Sequence, residues 1–308
     1  MLYTDNAINV LTVRTFPKKG PAWINNNLLG NESIAELCSL LETDEYEFKE
    51  KSARIEAAVS RLGSSVDGLV ALGDVDFPHI RGNVKPADKP FALFYKGDIS
   101  LLSQSNLNIA VIGVLNPDCK IELTEKIVTA EILKCGATIV SGLALGCDTI
   151  AHKTALDHGA KTIAVLPSPL SGIYPKENVA LAERIVESGG LLVSEYYDDP
   201  KSRNDMVSRF IVRDRLQALF SDAIVLAASY ALNNLGNDCG SRHAMGKAKL
   251  YGIKRGVIYN EAKHHGNPMF DLNRQILQED QSVIRIDSTN MREAIQRLVS
   301  RPSTLSLF

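Results

Sequence analysis

From residue 107 onward the chain alternates short, nearly unbroken apolar runs with stretches of helical length. The runs cover residues 109–114, 137–140, 162–166, 191–193, 223–228, 257–259 and 283–286. A strand that is apolar on both faces belongs inside a parallel sheet covered by helices on each side. The alternation therefore predicts an α/β fold: a doubly wound, mostly parallel Rossmann-like sheet joined by right-handed crossovers. Ligands of such sheets sit beyond the carboxyl ends of the strands, so the chemistry is expected in the loops there.

The first 60 residues follow a helical period instead. Ile34, Leu37, Leu40 and Leu41 form one stripe, with Ser33 placed as its N-cap. A second amphipathic stretch over 45–62 stops at Gly63, and the prolines and glycine between Phe16 and Trp23 mark a helix–loop–helix connection. The segment 73–97 is rich in Pro, Gly and Asp and reads as an irregular connector. The predicted division is a small N-terminal helical domain (1–72), a connector and lead-in (73–106), the Rossmann-like domain (107–298) and a short tail (299–308).

Composition narrows the function. Net charge is −2 and the isoelectric point about 6.3, so any grip on nucleic acid has to be local rather than spread over the surface. No apolar run reaches membrane-spanning length and the N-terminus lacks the layout of a signal peptide. The five cysteines are odd in number, scattered and free of C-x-x-C spacing, which argues against a disulfide framework or a structural zinc site. A cytoplasmic protein without metal or cofactor is expected.

The most informative loop is SGLALGCDTIAH, Ser141 to His152, which follows a predicted strand and opens a helix. Gly142 and Gly146 permit tight turning and close backbone approach, so N–H groups and a helix N-terminus could face an anion; a glycine turn needed only for packing is an equal alternative. Asp148 and His152 stand four apart on one helix face. Asp148 reads better as a first-turn carboxylate, and His152 as a hydrogen-bonded structural histidine, than as an acid–base pair.

These residues carry a resemblance. SGLALGCDTIAHKTAL is similar to the pattern S-G-x-A-x-G-x-D-x-x-A-H-x-x-A-L of the DNA-processing protein A (DprA/Smf) family. YPKEN, ending at Asn178, resembles that family's Y-P-x-x-N. FIVRDRLQALFSDAIVLAAS is similar to its F-x-x-R-N-R-x-x-x-x-L segment, and DFP with PFALFYKG resembles its lead-in. The resemblance runs over roughly 75–290. It implies a homodimeric, non-catalytic protein that binds single-stranded DNA in a basic pocket and loads a RecA-type recombinase. Lys176, Arg213 and Arg215 are the phosphate contacts so implied, and cations neutralising phosphates supply most of such affinity. The bland alternative for the two arginines is a salt bridge to Asp214 or Asp222.

This chain departs from the pattern at several points. It has Gly113-Val-Leu-Asn-Pro where the family has G-S-R, so one phosphate-binding arginine is missing. It has Asp214 between the two arginines in place of asparagine, and Pro-Ser-Pro where the family has T-G-x-D. Against these losses, Gly240 and Ser241 are expected to open a helix pointing into the same crevice, with Arg242 beside them; Lys247 to Arg255 read as a solvated surface. The candidate phosphate site is thus Gly113, Ser141, Gly142, Gly146, Lys176, Asn178, Arg213, Arg215, Gly240, Ser241 and Arg242.

Two other functions fit the same fold. One is a nucleotide-sensing module that holds a small phosphorylated ligand; the other is a nucleotide N-glycosidase. The second is disfavoured because the segment from Asp238 to Met245 has no carboxylate after its glycine. About 20 residues follow the last predicted strand, too few for the winged-helix domain often found in that family. The last five residues, TLSLF, resemble a sliding-clamp-binding peptide through Leu305, Leu307 and Phe308, the alternative being that they pack back onto the chain.

Overall fold

The computed structural model describes residues 2–233, 235–237 and 240–301. Four helices open the chain: α1 (Asp5–Arg14), α2 (Pro21–Asn27), α3 (Ile34–Leu41) and α4 (Glu45–Ser60). Ser33 caps α3 as expected, and it does so reciprocally: its hydroxyl accepts from the Glu36 N–H while Glu36 accepts from the Ser33 N–H. Asp44 caps α4 in the simpler way.

Nine strands follow in one sheet: β1 (Gly68–Ala71), β2 (Ala92–Gly97), β3 (Asn108–Ile112), β4 (Thr138–Ser141), β5 (Thr162–Leu166), β6 (Leu191–Ser194), β7 (Ala223–Leu226), β8 (Lys254–Ile258) and β9 (Ile284–Ile286). Their order is β1-β2-β6-β5-β4-β3-β7-β8-β9. All seven predicted strands are present, and β3 to β9 pair in parallel. Strands β3, β5 and β7 are buried along their whole length, which is why they read as unbroken apolar runs. The intervening helices are α5 (Cys119–Leu133), α6 (Cys147–Asp157), α7 (Val179–Glu187), α8 (Arg203–Leu219), α9 (Ser241–Tyr251), α10 (Glu261–His264), α11 (Asp271–Glu279) and α12 (Met291–Val299). Among the described residues no helix is long and apolar enough to cross a membrane.

The segment read as an irregular connector needs correction. It contributes β2, which pairs antiparallel with β6, and β2 in turn recruits β1 from the region read as helical. The N-terminal helices consequently share a core with the sheet: Val10, Ile24, Phe48 and Val59 pack in one cluster with Phe94, Leu166 and Leu192. Burying such side chains is worth about 1.5–3 kcal/mol each. A second cluster surrounds β3, β4 and β7 to β9.

The order of the strands locates the site. From β3 the chain winds outward through β4, β5 and β6; it then returns to the other side of β3 with β7 and continues through β8 and β9. The reversal between β3 and β7 is a topological switch point, where the loops leaving adjacent strands diverge and open a crevice.

Candidate nucleic-acid interface

Three loops meet at the switch point. The β3 loop starts with Gly113, where an added Cβ would lie 2.5 Å from the Cys147 sulfur and 3.0 Å from the Ala228 carbonyl oxygen. The β4 loop runs from Ser141 to Gly146. The chain then enters α9 through Gly240, and the Ser241 hydroxyl donates to the Gly113 carbonyl at 3.2 Å, tying the first helical turn of α9 to the β3 loop.

The β4 loop is held from several directions. Ser141 donates its hydroxyl to the Val111 carbonyl at 2.7 Å. Asp148, in the first turn of α6, accepts the backbone N–H groups of Gly142 and Ala144 at 3.1 and 3.2 Å. Asn178 donates its amide to the Leu143 and Ala144 carbonyls and to the Thr149 hydroxyl. Its role is therefore to brace the loop from within; it is buried rather than facing solvent. Gly146 has φ +73°, and a Cβ there would come within 2.3 Å of the Val114 carbonyl oxygen, so glycine is required on both counts.

Arg213 approaches this loop from α8. Its guanidinium is buried, 4.0 Å from Asp148 and 3.7 Å from Asp214, and its Nε has no hydrogen-bond partner. The fit against Gly142 is close: a Cβ at that position would lie 1.4 Å from Nη1 of Arg213. Burial pushes the Asp148 carboxyl up from its ordinary range, against the opposing pull of Arg213 and the loop N–H groups. Burial likewise pushes Asp214 up, to about 7.

Arg215 is placed differently from the expectation. It turns away from Asp214 and Asp222 and forms a two-pronged ion pair with Glu195, at 2.7 and 2.6 Å, while its Nε donates to the Asp88 carbonyl. With the guanidinium so engaged and buried, Arg215 braces α8 against the β6 loop and is not available as a phosphate contact. Lys247 and Arg255 also correct the surface reading. Lys247 pairs with Asp88 at 2.9 Å, and Arg255 is buried in β8 against Asp280. Lys176 is exposed and makes no ion pair among the described residues, and Arg242 is half-buried.

His152 is structural. Its Nδ1 lies 2.7 Å from the Thr162 hydroxyl inside the sheet–helix interface, and burial followed by Arg213 lowers its pKa to about 3. Because the folded state holds it neutral, the stabilisation is complete above the unfolded pKa near 6.5 and is lost as pH falls below it. Stability should then drop by up to about 1.4 kcal/mol per pH unit between roughly pH 6 and 3. Urea midpoints at pH 7 and 5 check this: His152→Asn should flatten the dependence, and an unchanged dependence in the variant would assign it to other groups.

Among the described residues no group of three His, Cys, Asp or Glu side chains could hold a metal ion. Sequence reasoning missed Asp88, which serves both Arg215 and Lys247, and Gln217, which donates to Asp214 at 3.1 Å. Asp88 lay hidden in the segment taken for a connector. The clamp-like residues Leu305, Leu307 and Phe308, and Asp238, lie outside the described residues.

Comparison with known proteins identifies the family and the fold. The family of DNA recombination-mediator protein A matches residues 68–234. The chain is 34% identical to protein Smf of Borreliella burgdorferi over 161 residues, which cover 51% of this chain and 48% of that one. It is 28% identical to DNA processing protein DprA of Bacillus subtilis over 186 residues, 60% of this chain and 59% of that one. The chain thus spans about half the length of the curated relatives it matches. The fold is similar to the X-ray structure of DprA from Streptococcus pneumoniae, with a TM-score of 0.73 at 23% identity, over 98% of this chain and all of that one. A DprA from Helicobacter pylori, whose structure describes its single-stranded DNA binding mode, has a TM-score of 0.57 at 28% identity over 75% of this chain and 95% of that one.

Proposed function

The chain belongs to the DNA recombination-mediator protein A family, the DprA/Smf family, and from that premise we propose that it binds single-stranded DNA in the switch-point crevice. The role is in DNA processing or recombination and involves no catalysed reaction. The observation that carries this reading is the convergence of the Gly142 loop, the buried Arg213 and the α9 N-terminus at one sheet end, with Lys176 exposed beside the residue that braces the loop. Backbone N–H groups, a helix N-terminus and cations are the parts that phosphate recognition uses.

The acid–base candidates support a binding role. Glu195 is committed to Arg215, Asp148 to the loop, and His152 is a buried neutral imidazole whose Nδ1–H is held by the Thr162 hydroxyl. A RecA-type recombinase and a second copy of this chain are the protein partners we assign, on the family resemblance, and the cytoplasm is the compartment they imply.

Titrating a labelled oligonucleotide at rising salt tests the proposal. Affinity should fall steeply with salt as phosphate contacts release counterions. Lys176→Ala should cost on the order of 1 kcal/mol, the scale of one charge-assisted contact. Tight binding of a mononucleotide with no response to oligonucleotides would favour the nucleotide-sensing function instead.

A further inference from the structure

One buried guanidinium beside the β4 loop faces two carboxylates. Arg213 stands between two carboxylates, Asp148 on α6 and Asp214 on its own helix. The two are not equivalent. Asp148 accepts two backbone N–H groups from the β4 loop and is the better-held anion. Asp214 receives only the Gln217 amide on Oδ1, and its Oδ2 has no hydrogen-bond partner although the residue is 96% buried. That orphan oxygen faces the start of α9: a Cβ on Gly240 would lie 2.5 Å from it. An ionised Asp214 would therefore place a negative charge against the helix end and beside the arginine that an incoming phosphate would use.

The groups that act on Asp214 are few. Arg213 and Gln217 come from its own helix and Asp148 from α6. Strands β5 and β7, which pack against α8, carry no ionisable side chain, and the first turn of α9 carries Arg242 and His243. With Arg213 and Asp148 paired, the protonation of Asp214 changes the charge beside Arg213 by one. We propose that Asp214 gates the crevice: phosphate groups enter beside Arg213 and the α9 N-terminus when its carboxyl is protonated and are repelled when it is ionised. Burial pushes this carboxyl up to about 7, so the gate works close to neutral pH.

The proposal rests on the single-stranded DNA reading, and its test separates the two. Binding of a labelled oligothymidylate is followed by anisotropy from pH 6 to 8.5 at constant ionic strength, for the wild-type chain and for the near-isosteric Asp214→Asn. Coupling to one proton predicts a wild-type Kd that is flat below about pH 7 and rises towards tenfold per pH unit above it. Asp214→Asn should bind tightly with little pH dependence. A flat wild-type profile, or the same slope in both proteins (as titration of His243 would give), overturns the gate while leaving DNA binding intact. Inorganic pyrophosphate titrated over the same range covers the remaining case. If pyrophosphate follows the predicted profile and DNA does not bind, the gate stands and the DNA reading falls; if neither protein binds either probe, both fall.

Discussion

Arg215→Ala should lower the stability of the fold by about 3–5 kcal/mol, the usual cost of removing one partner from a buried ion pair. The residue is 94% buried, and its loss leaves Glu195 facing it without a countercharge, along with an unpaired Asp88 carbonyl. Glu195→Ala should cost a similar amount for the mirror reason. The double variant should recover part of the loss, because neither charge is then stranded. Arg215→Lys keeps the charge but loses the planar fork, so it should fall between wild type and alanine. Chemical denaturation of the four variants measures this. A loss below 1 kcal/mol for Arg215→Ala, combined with weakened DNA binding, would return Arg215 to the interface.

Gly142→Ala should abolish most binding in the crevice while the fold persists. Its Cβ would coincide with the Arg213 guanidinium, 1.4 Å from Nη1, and lie 2.8 Å from the Asp148 carboxylate. The three atoms nearest that Cβ all belong to the side chains of Arg213 and Asp148, so the flexible arginine is what yields. Displacing it should weaken DNA binding by at least about tenfold, equivalent to roughly 1.4 kcal/mol. Gly172→Ala is the matched control, since its nearest neighbour, an Asp199 carboxylate oxygen, would be an ordinary 3.7 Å away. Anisotropy titrations with both variants decide the point: equal affinities would mean that Arg213 does not belong to the binding surface.

The contrast between these two arginines shows what the sequence makes legible. Strands β3 to β9 could be read because each is buried by its own helices, so the pattern is local. Strands β1 and β2 could not. β2 lies just after Pro90 in a Pro- and Gly-rich stretch, and it is a strand only because the edge of β6 accepts it. The glycine loop was visible from its spacing, and Ser33 and His152 took the structural roles expected of them. The fate of Arg215 was not visible, because its partners stand 20 and 127 residues away in the chain. Charge pairing over such separations is set by the tertiary fold, and a motif match cannot tell a ligand contact from a buried brace. Asp214 was legible as an anomaly in charge, whereas its orphan oxygen against Gly240 required the packing of α8 on α9.

Hydrogen exchange with and without a saturating oligothymidylate tests the central claim most directly, because it reports where along the chain the ligand acts. Binding in the switch-point crevice predicts slowed exchange in the β4 loop and the first turn of α6 (142–149), around Lys176 and Asn178, and at the start of α9 (241–244). Protection confined to the N-terminal helices or to the β8–β9 edge, with the β4 loop unchanged, would contradict it.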